Sequence, residues 1–145
     1  MADLRFEELP LDLAFTDARG DGRRRLALFG DPEDPFTREL VRDHLAGITD
    51  VTVYTLLLPL EIYPDADRTT RLIWGSPDRT GAWYDWMTGG ARPPGPPDPH
   101  TPIARLRLAA EEIGVDATPT LVFADGTMIA GATPAAEIER LLASA

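Results

Sequence analysis

The stretch that most constrains this fold is Phe29–Leu40, which reads FGDPEDPFTREL. It continues from Leu26–Phe29, an unbroken apolar run of the kind that forms a central strand buried on both faces of a sheet. Asp34 then offers a side-chain N-cap and Pro35 stands at the first helical position, so these residues predict a helix start. A buried strand that leads directly into a helix indicates an α/β domain.

The rest of the chain predicts strands and helices in the order β-β-α-β, a helical segment, and then α-β-β-α. Alternating or β-branched apolar residues predict the strands, and glycine-containing turns predict hairpins between the first two strands and between the last two. The predicted strands are Leu11–Thr16, Arg24–Phe29, Val51–Leu58, Thr120–Phe123 and Thr127–Ile129. The predicted helices run from Pro35 up to Gly47, over Arg68–Trp74, Thr80–Met87 and Pro102–Ile113, and from Pro134 onward.

The length of 145 residues predicts a single domain, residues 1–145, that buries its own core. Residues 1–10 carry four charged side chains and form an N-terminal segment that ends at Pro10. Residues 65–114 contain no strand-like run. We therefore expect a helical insertion there, with an exposed loop over the Pro- and Gly-rich stretch Gly89–Pro102.

Charge and residue usage exclude several classes of function. The chain has 24 acidic residues against 14 basic ones, a formal charge of -10 and a pI near 4.5, which argues against nucleic acids and anionic membranes as partners. No apolar stretch approaches the roughly 20 residues that a transmembrane helix needs. The sequence has no cysteine, which excludes disulfides, thiol catalysis and thiolate metal sites together.

Four stretches spread along the chain resemble one family when they are taken together. They are LFGDPEDPFTREL, VTVYTLLLPL, LIWGSPDRTGAWYDWMTGG and PHTPIARLRLAAEEIGVDATPTLVFADGTMIAGATPAAEIERLL. Their order and spacing resemble the catalytic domain of the disulfide isomerases DsbC and DsbG, from about Leu9 to the C-terminus. The resemblance implies a thioredoxin fold, in which a central mixed β-sheet is flanked by helices and carries a helical insertion.

The resemblance also identifies the positions of the family's cysteines. The catalytic Cys-x-x-Cys corresponds to the degenerate positions Asp34, Pro35, Phe36 and Thr37. A second, structural pair would fall at Gly75 and near Pro99. Thiol-disulfide exchange needs a thiolate nucleophile and a resolving thiol, so neither an oxidoreductase nor an isomerase activity is expected. No catalytic residue and no cofactor are assigned.

The same resemblance implies that Thr118 and Pro119 are joined by a cis peptide bond facing the helix start at Asp34. In the family, substrate polypeptide pairs with this backbone edge by strand addition. The alternative is that Pro119 only begins a strand, where a missing N–H is tolerated. The expected function is binding of polypeptide or of a protein partner, chaperone-like or as an adaptor, with Phe36 as the exposed apolar contact beside Thr118 and Pro119.

Two other functions stay open. Asp31, Asp34 and Thr37 could support a non-thiol enzyme at the same corner, although the sequence shows no recognisable base–nucleophile pair there. The N-terminal segment could instead dock the chain into a larger assembly as a structural subunit.

The acidic and aromatic clusters have simpler explanations than a site. Asp31, Glu33 and Asp34 are residue types that bind hard cations, but their spacing does not match an EF-hand loop, so we expect a solvated acidic loop and no metal. The aromatic residues of the insertion are expected to pack it onto the sheet, with Trp86 or Tyr84 partly exposed; a binding face is the alternative. They are Trp74, Trp83, Tyr84 and Trp86.

Location and assembly are left open by the sequence. The resemblance implies a periplasmic protein whose dimerisation domain precedes the catalytic domain, and this sequence contains no such domain. Its first residues, MADLRFEELP, lack the basic region and apolar core of a signal peptide. A cytoplasmic location and a removed leading segment are therefore both retained, and the oligomeric state is unassigned.

Overall fold

A computed structural model of the chain describes residues 4–145. Five strands form one sheet, namely β1 Phe15–Arg19, β2 Arg24–Gly30, β3 Val51–Leu57, β4 Thr120–Phe123 and β5 Met128–Ala130. Their order across the sheet is β1-β3-β2-β4-β5. β2 and β3 are parallel, whereas the other neighbouring strands pair antiparallel. This mixed sheet confirms the predicted architecture.

Helices flank the sheet on the segments where the sequence predicts them. They are α1 Pro35–Glu39, α2 Ala66–Trp74, α3 Arg79–Gly89, α4 Ile103–Ile113 and α5 Ala135–Ser144. α1 continues into a π-helical turn at Leu40–His44, and the 3₁₀ turns Phe6–Glu8 and Leu11–Leu13 precede β1. α2 and α3 form the helical insertion after β3. Across residues 4–145, every helix is too short or too polar to traverse a bilayer.

The first predicted strand is wrong over most of its length. Leu11–Leu13 forms a 3₁₀ turn, in which the Leu13 N–H donates to the Pro10 C=O at 2.8 Å, and β1 begins only at Phe15. Leu13 and Phe15 are both buried, so the 3₁₀ turn places the same apolar side chains in the core as the predicted strand would have done. Alternation over so few residues therefore could not distinguish the two structures.

The predicted hairpin between the first two strands is also wrong. β1 pairs with β3, and β2 lies in the centre of the sheet between β3 and β4. β2 buries its apolar residues on both faces, which is possible only at a central position. Gly20 and Gly22, with φ values of 60° and 65°, do turn the chain. However, β2 then pairs with the edge of β3 opposite to β1, and β1 and β2 are not neighbours. The second hairpin is confirmed, with Asp125 and Gly126 between β4 and β5.

The aromatic residues of the insertion pack it onto the sheet, as predicted. Trp83 is fully buried and meets Phe15 of β1 edge to face, with 6.0 Å between the ring centroids. Trp86 is only 9% exposed, whereas Tyr84 and Trp74 are half-buried at the margin of the core. The insertion is therefore joined to the sheet by large apolar contacts next to the start of α1.

Candidate functional site

The corner between β2 and α1 is built around the carboxylate of Asp34. Its Oδ1 accepts hydrogen bonds from the Phe36 N–H at 3.0 Å and the Tyr63 hydroxyl at 3.1 Å. Its Oδ2 accepts from the hydroxyls of Thr37 and Thr118, each at 2.8 Å. The residue is only 2% exposed, so these four donors replace water around it. One side chain thus joins the start of α1, the loop after β3 and the segment that enters β4.

Local sequence explains how Asp34 comes to cap the helix. Its backbone is extended, with φ −80° and ψ 121°, and Pro35 follows at the first helical position, where its fixed φ suits the helix. Thr37 is fully buried beneath the cap, whereas Phe36 points outward and is 59% exposed. The N-cap role predicted for Asp34 is therefore present. Asp34 and Thr37 form a closed hydrogen-bonded pair rather than an accessible base and nucleophile.

Asp31 is a second buried acid at the corner. It has no exposed surface, and its two oxygens accept the N–H groups of Glu33 at 2.8 Å and Leu60 at 2.7 Å. The pKa of Asp31 is raised to about 6, chiefly by burial and also by the neighbouring carboxylates of Asp34 and Glu33, against the lowering effect of the two N–H donors. The prediction of a solvated acidic loop is therefore wrong for Asp31 and Asp34. Both acids are structural acceptors inside the fold.

The two histidines, His44 and His100, do not join this acidic cluster, and neither does Asp43. Within residues 4–145, His, Asp and Glu side chains form no group of three that could hold a metal ion. His44 lies 3.0 Å from a carboxylate oxygen of Glu39, Asp43 pairs with Arg42, and His100 is exposed. The oxygens of Asp31 and Asp34 already accept N–H and O–H groups, so they are oriented toward donors rather than toward a cation.

Thr118 and Pro119 lie directly against the helix start. The peptide bond between them is cis, Pro119 is buried, and β4 begins at Thr120. Thr118 is half-buried, and within residues 4–145 neither its N–H nor its C=O makes a backbone hydrogen bond. The Asp34 carboxylate thus binds both the N–H of the exposed Phe36 and the hydroxyl of Thr118. The backbone N–H and C=O of Thr118, unpaired across the part of the chain that the structure describes, form an open edge between the sheet and α1.

Several residues of the corner have no signal in the sequence. The Trp86 indole N–H donates to the Pro32 C=O at 2.7 Å, and the guanidinium groups of Arg38 and Arg92 lie 4.7 and 4.3 Å from its ring centroid. Tyr63 reaches Asp34 from a loop between two prolines. These contacts join segments far apart in the chain, so neither spacing nor composition indicates them.

Gly30 is where a close approach requires glycine. A Cβ there would lie 2.9 Å from Thr37 Cγ2 and 3.2 Å from the nearest ring carbon of Trp83. Gly75, at which the resemblance implies a second cysteine, is another close approach. A Cβ on Gly75 would lie 3.1 Å from the Cβ of Asp98, so the residue opposite Gly75 is Asp98, directly before Pro99.

Comparison with known proteins places this fold in a family. A family profile described as a thioredoxin-like domain matches residues 11–145. The chain is 37% identical over 142 residues to a probable thiol:disulfide interchange protein DsbC of Bordetella pertussis, covering 98% of this chain and 50% of the relative. It is 30% identical over 93 residues to the thiol:disulfide interchange protein DsbC of Escherichia coli, covering 63% of this chain and 39% of the relative.

A solved structure supports the same assignment. The disulfide interchange protein from Neisseria gonorrhoeae superimposes with a TM-score of 0.87 at 36% identity, covering 94% of this chain and 97% of that one. The chain spans about half the length of the curated relatives it matches. The chain therefore belongs to the thioredoxin-like domain family, among relatives that are named as DsbC-type disulfide interchange proteins, and it carries their fold without any cysteine.

Proposed function

We propose that this domain binds extended, unfolded polypeptide at the corner formed by Asp34–Thr37, Thr118 and Pro119, without exchanging thiols and disulfides. The relatives are named for thiol:disulfide interchange. That reaction requires a thiolate, and this chain has no cysteine to supply one. The corner itself offers an exposed apolar ring and backbone groups that are unpaired among the described residues, so binding is the activity that these groups support.

The exposed ring of Phe36 is the first support for this proposal. Among the described residues it is one of few large apolar side chains with more than half of its surface in water, and it stands next to a rigid helix cap. Covering a phenylalanine side chain stabilises a complex by roughly 1.5–3 kcal/mol. An apolar residue of a bound segment could supply that cover.

The open backbone of Thr118 is the second support. An extended segment that aligns with Thr118 could donate to its C=O and accept from its N–H, as a strand added to a sheet edge does. Such bonds do not depend on the sequence of the bound segment, which favours a chaperone-like range of clients over one adaptor partner. The single observation that carries the proposal is that Phe36 and this open edge are held by one carboxylate, that of Asp34.

The structure gives less support to the two alternatives. Thr37 is fully buried and Asp34 is 2% exposed, so neither reaches a substrate as a non-thiol enzyme would require. In the N-terminal segment, Phe6 and Leu9 are buried in the domain's own core, and the Phe6 ring meets Tyr54 at 5.6 Å. The part of the segment that the structure describes therefore packs into the core of the domain and is not available to dock onto another subunit.

Titration calorimetry with reduced, carbamidomethylated α-lactalbumin, a permanently unfolded probe whose capped cysteines carry no charge, tests the proposal. We expect the wild-type domain to bind the probe. Phe36→Asp should weaken binding by about tenfold or more, because it removes the apolar contact and brings a charge into the interface. Leu108→Asp is the matched control, since Leu108 is 56% exposed on α4 against 59% for Phe36. It should bind as the wild type does.

Two results would contradict the proposal. One is a folded wild-type domain that leaves the unfolded probe unbound. The other is a Phe36→Asp variant that binds as tightly as the Leu108→Asp variant. Circular dichroism on each variant separates a loss of binding from a loss of the fold, and both substitutions lie at exposed positions, where folding should survive.

A further inference from the structure

A groove of about 370 Å³ lies between the loop that follows β3 and the C-terminal half of α4. Its floor is apolar, and Leu58, Ala110 and Val115 of that floor are buried residues of the domain. None of the residues that line it belongs to the corner at Asp34–Thr37 or to Thr118 and Pro119. The groove is therefore a separate surface, and its floor consists of side chains that also belong to the core.

The rim of this groove is acidic. Glu61, Glu111 and Asp116 line it, all three are exposed, and none forms an ion pair with another residue in the part of the chain that the structure describes. The lining includes one cation, Arg107, whose guanidinium group donates to the Pro59 C=O at 3.0 and 3.2 Å. Three carboxylates thus face solvent around an apolar floor, on a chain with a net charge of -10.

The walls of the groove are fixed in the unbound domain. The Arg107 bonds tie α4 to the loop after β3, and the Leu60 N–H is held by Asp31 at 2.7 Å. α4 ends at Gly114, whose φ of 96° turns the chain back so that the Val115 N–H bonds the Ala110 C=O at 2.8 Å. This turn brings Val115 into the floor.

We infer that this groove docks a polypeptide segment that carries an arginine or a lysine beside an apolar side chain. The floor accepts the apolar side chain, and the carboxylates of Glu61, Glu111 and Asp116 complement the cation. The negative field of the chain would repel an acidic segment and attract a basic one. The inference goes beyond the proposed function, because it assigns a second surface and the charge of its occupant.

Fluorescence anisotropy with a labelled peptide in which arginines flank leucines tests the inference. The reference probe has citrulline in place of arginine, which keeps the size and removes the charge. We expect the arginine peptide to bind more tightly, and to lose affinity as salt rises. Glu61→Gln/Glu111→Gln should weaken it by about three- to tenfold, the range for two exposed charge contacts. Glu7→Gln/Glu137→Gln, outside the groove, makes the same change in net charge and should leave affinity within about twofold.

Each of three outcomes would overturn the inference. They are a citrulline peptide that binds as tightly as the arginine peptide, equal effects of the two double variants, and no binding of the arginine peptide by the folded wild type. Phe36→Asp separates this surface from the corner. It should weaken binding of carbamidomethylated α-lactalbumin by about tenfold or more and leave the affinity for the arginine peptide unchanged, whereas equal weakening of both probes would show that one site serves both.

Discussion

Thr118 donates its hydroxyl hydrogen to Asp34 at 2.8 Å, although the two residues are 84 positions apart in the chain. The same carboxylate accepts the Phe36 N–H, which belongs to the first turn of α1. The entry to β4 and the start of α1 are therefore fixed to each other through one side chain. In this cysteine-free member of the family, Asp34 holds the corner by hydrogen bonds.

A double-mutant cycle on this pair should reveal its contribution to stability. Thr118→Val removes one hydrogen bond and should lower the free energy of unfolding by about 1–2 kcal/mol. Asp34→Asn places an amide N–H₂ among hydroxyl donors, so we expect a loss of about 1–3 kcal/mol. Urea denaturation of both single variants and the double variant should show a coupling of about 1 kcal/mol. A coupling of zero would mean that the contact does not stabilise the corner.

The stability of the domain should depend on pH through Asp31. Burial raises the pKa of Asp31 from 3.8 to about 6, so the folded state binds this proton more tightly than the unfolded chain does. Its stabilising contribution is fully present below about pH 4 and is lost as the pH rises through about 6, a change of about 3 kcal/mol.

Asp31→Asn tests this dependence because it removes the titrating group. Urea denaturation across the same pH range should show that the free energy of unfolding falls with pH less steeply in the variant than in the wild type. Other titrating groups are common to both proteins and cancel in the difference. Parallel profiles for the two proteins would show that Asp31 does not titrate in the way its burial implies.

Gly30→Ala should destabilise the corner. The added methyl group would lie 2.9 Å from Thr37 Cγ2 and 3.2 Å from Trp83, in a region where both side chains are fully buried. Overpacking of this kind costs about 1–3 kcal/mol, to be measured by thermal or urea denaturation. Gly47→Ala is the control, because a Cβ at Gly47 meets no described atom within 4 Å. Equal stabilities of the two variants would argue against close packing at Gly30.

Asp34→Cys/Thr37→Cys should restore thiol chemistry to the scaffold. The side chains of Asp34 and Thr37 point toward each other and meet in a hydrogen bond of 2.8 Å, so two cysteine side chains at these positions would also face each other. The helix start would stabilise the thiolate of the first cysteine. We expect an intramolecular disulfide, formed with a small oxidant and detected by thiol titration. Asp34→Cys alone should not form it, and a folded double variant whose thiols stay free under oxidant would contradict the expectation.

The sequence predicted those elements whose signal is local. The apolar run of Leu26–Phe29 identifies a central strand, and Asp34 followed by Pro35 identifies the start of α1, because each pattern is complete within a few residues. The neighbour of β1 could not be predicted in this way. Gly20 and Gly22 indicate a turn, but the strand that follows the turn pairs elsewhere, and that choice depends on β3, which lies later in the chain.

The site was predictable only in outline. The cap at Asp34 and the exposure of Phe36 follow from local pattern and from the resemblance to DsbC and DsbG. The burial of Asp31 does not, because acidic residues are rarely buried and its second partner is the N–H of Leu60. The hydrogen bond from Tyr63 to Asp34 could not be predicted either, because it joins segments that only the folded chain brings together.

The four hydrogen bonds to Asp34 also have an entropic consequence. Ordering a backbone residue costs roughly 1–2 kcal/mol, so a binding surface that must first be assembled loses affinity for every residue it orders. Here the helix start, Tyr63 and Thr118 are already immobilised on one carboxylate before any segment arrives. The remaining ordering cost would fall on the incoming segment, so a segment stiffened by threonines, which keep their backbone N–H groups, should bind more tightly than a glycine-rich one of the same apolar content.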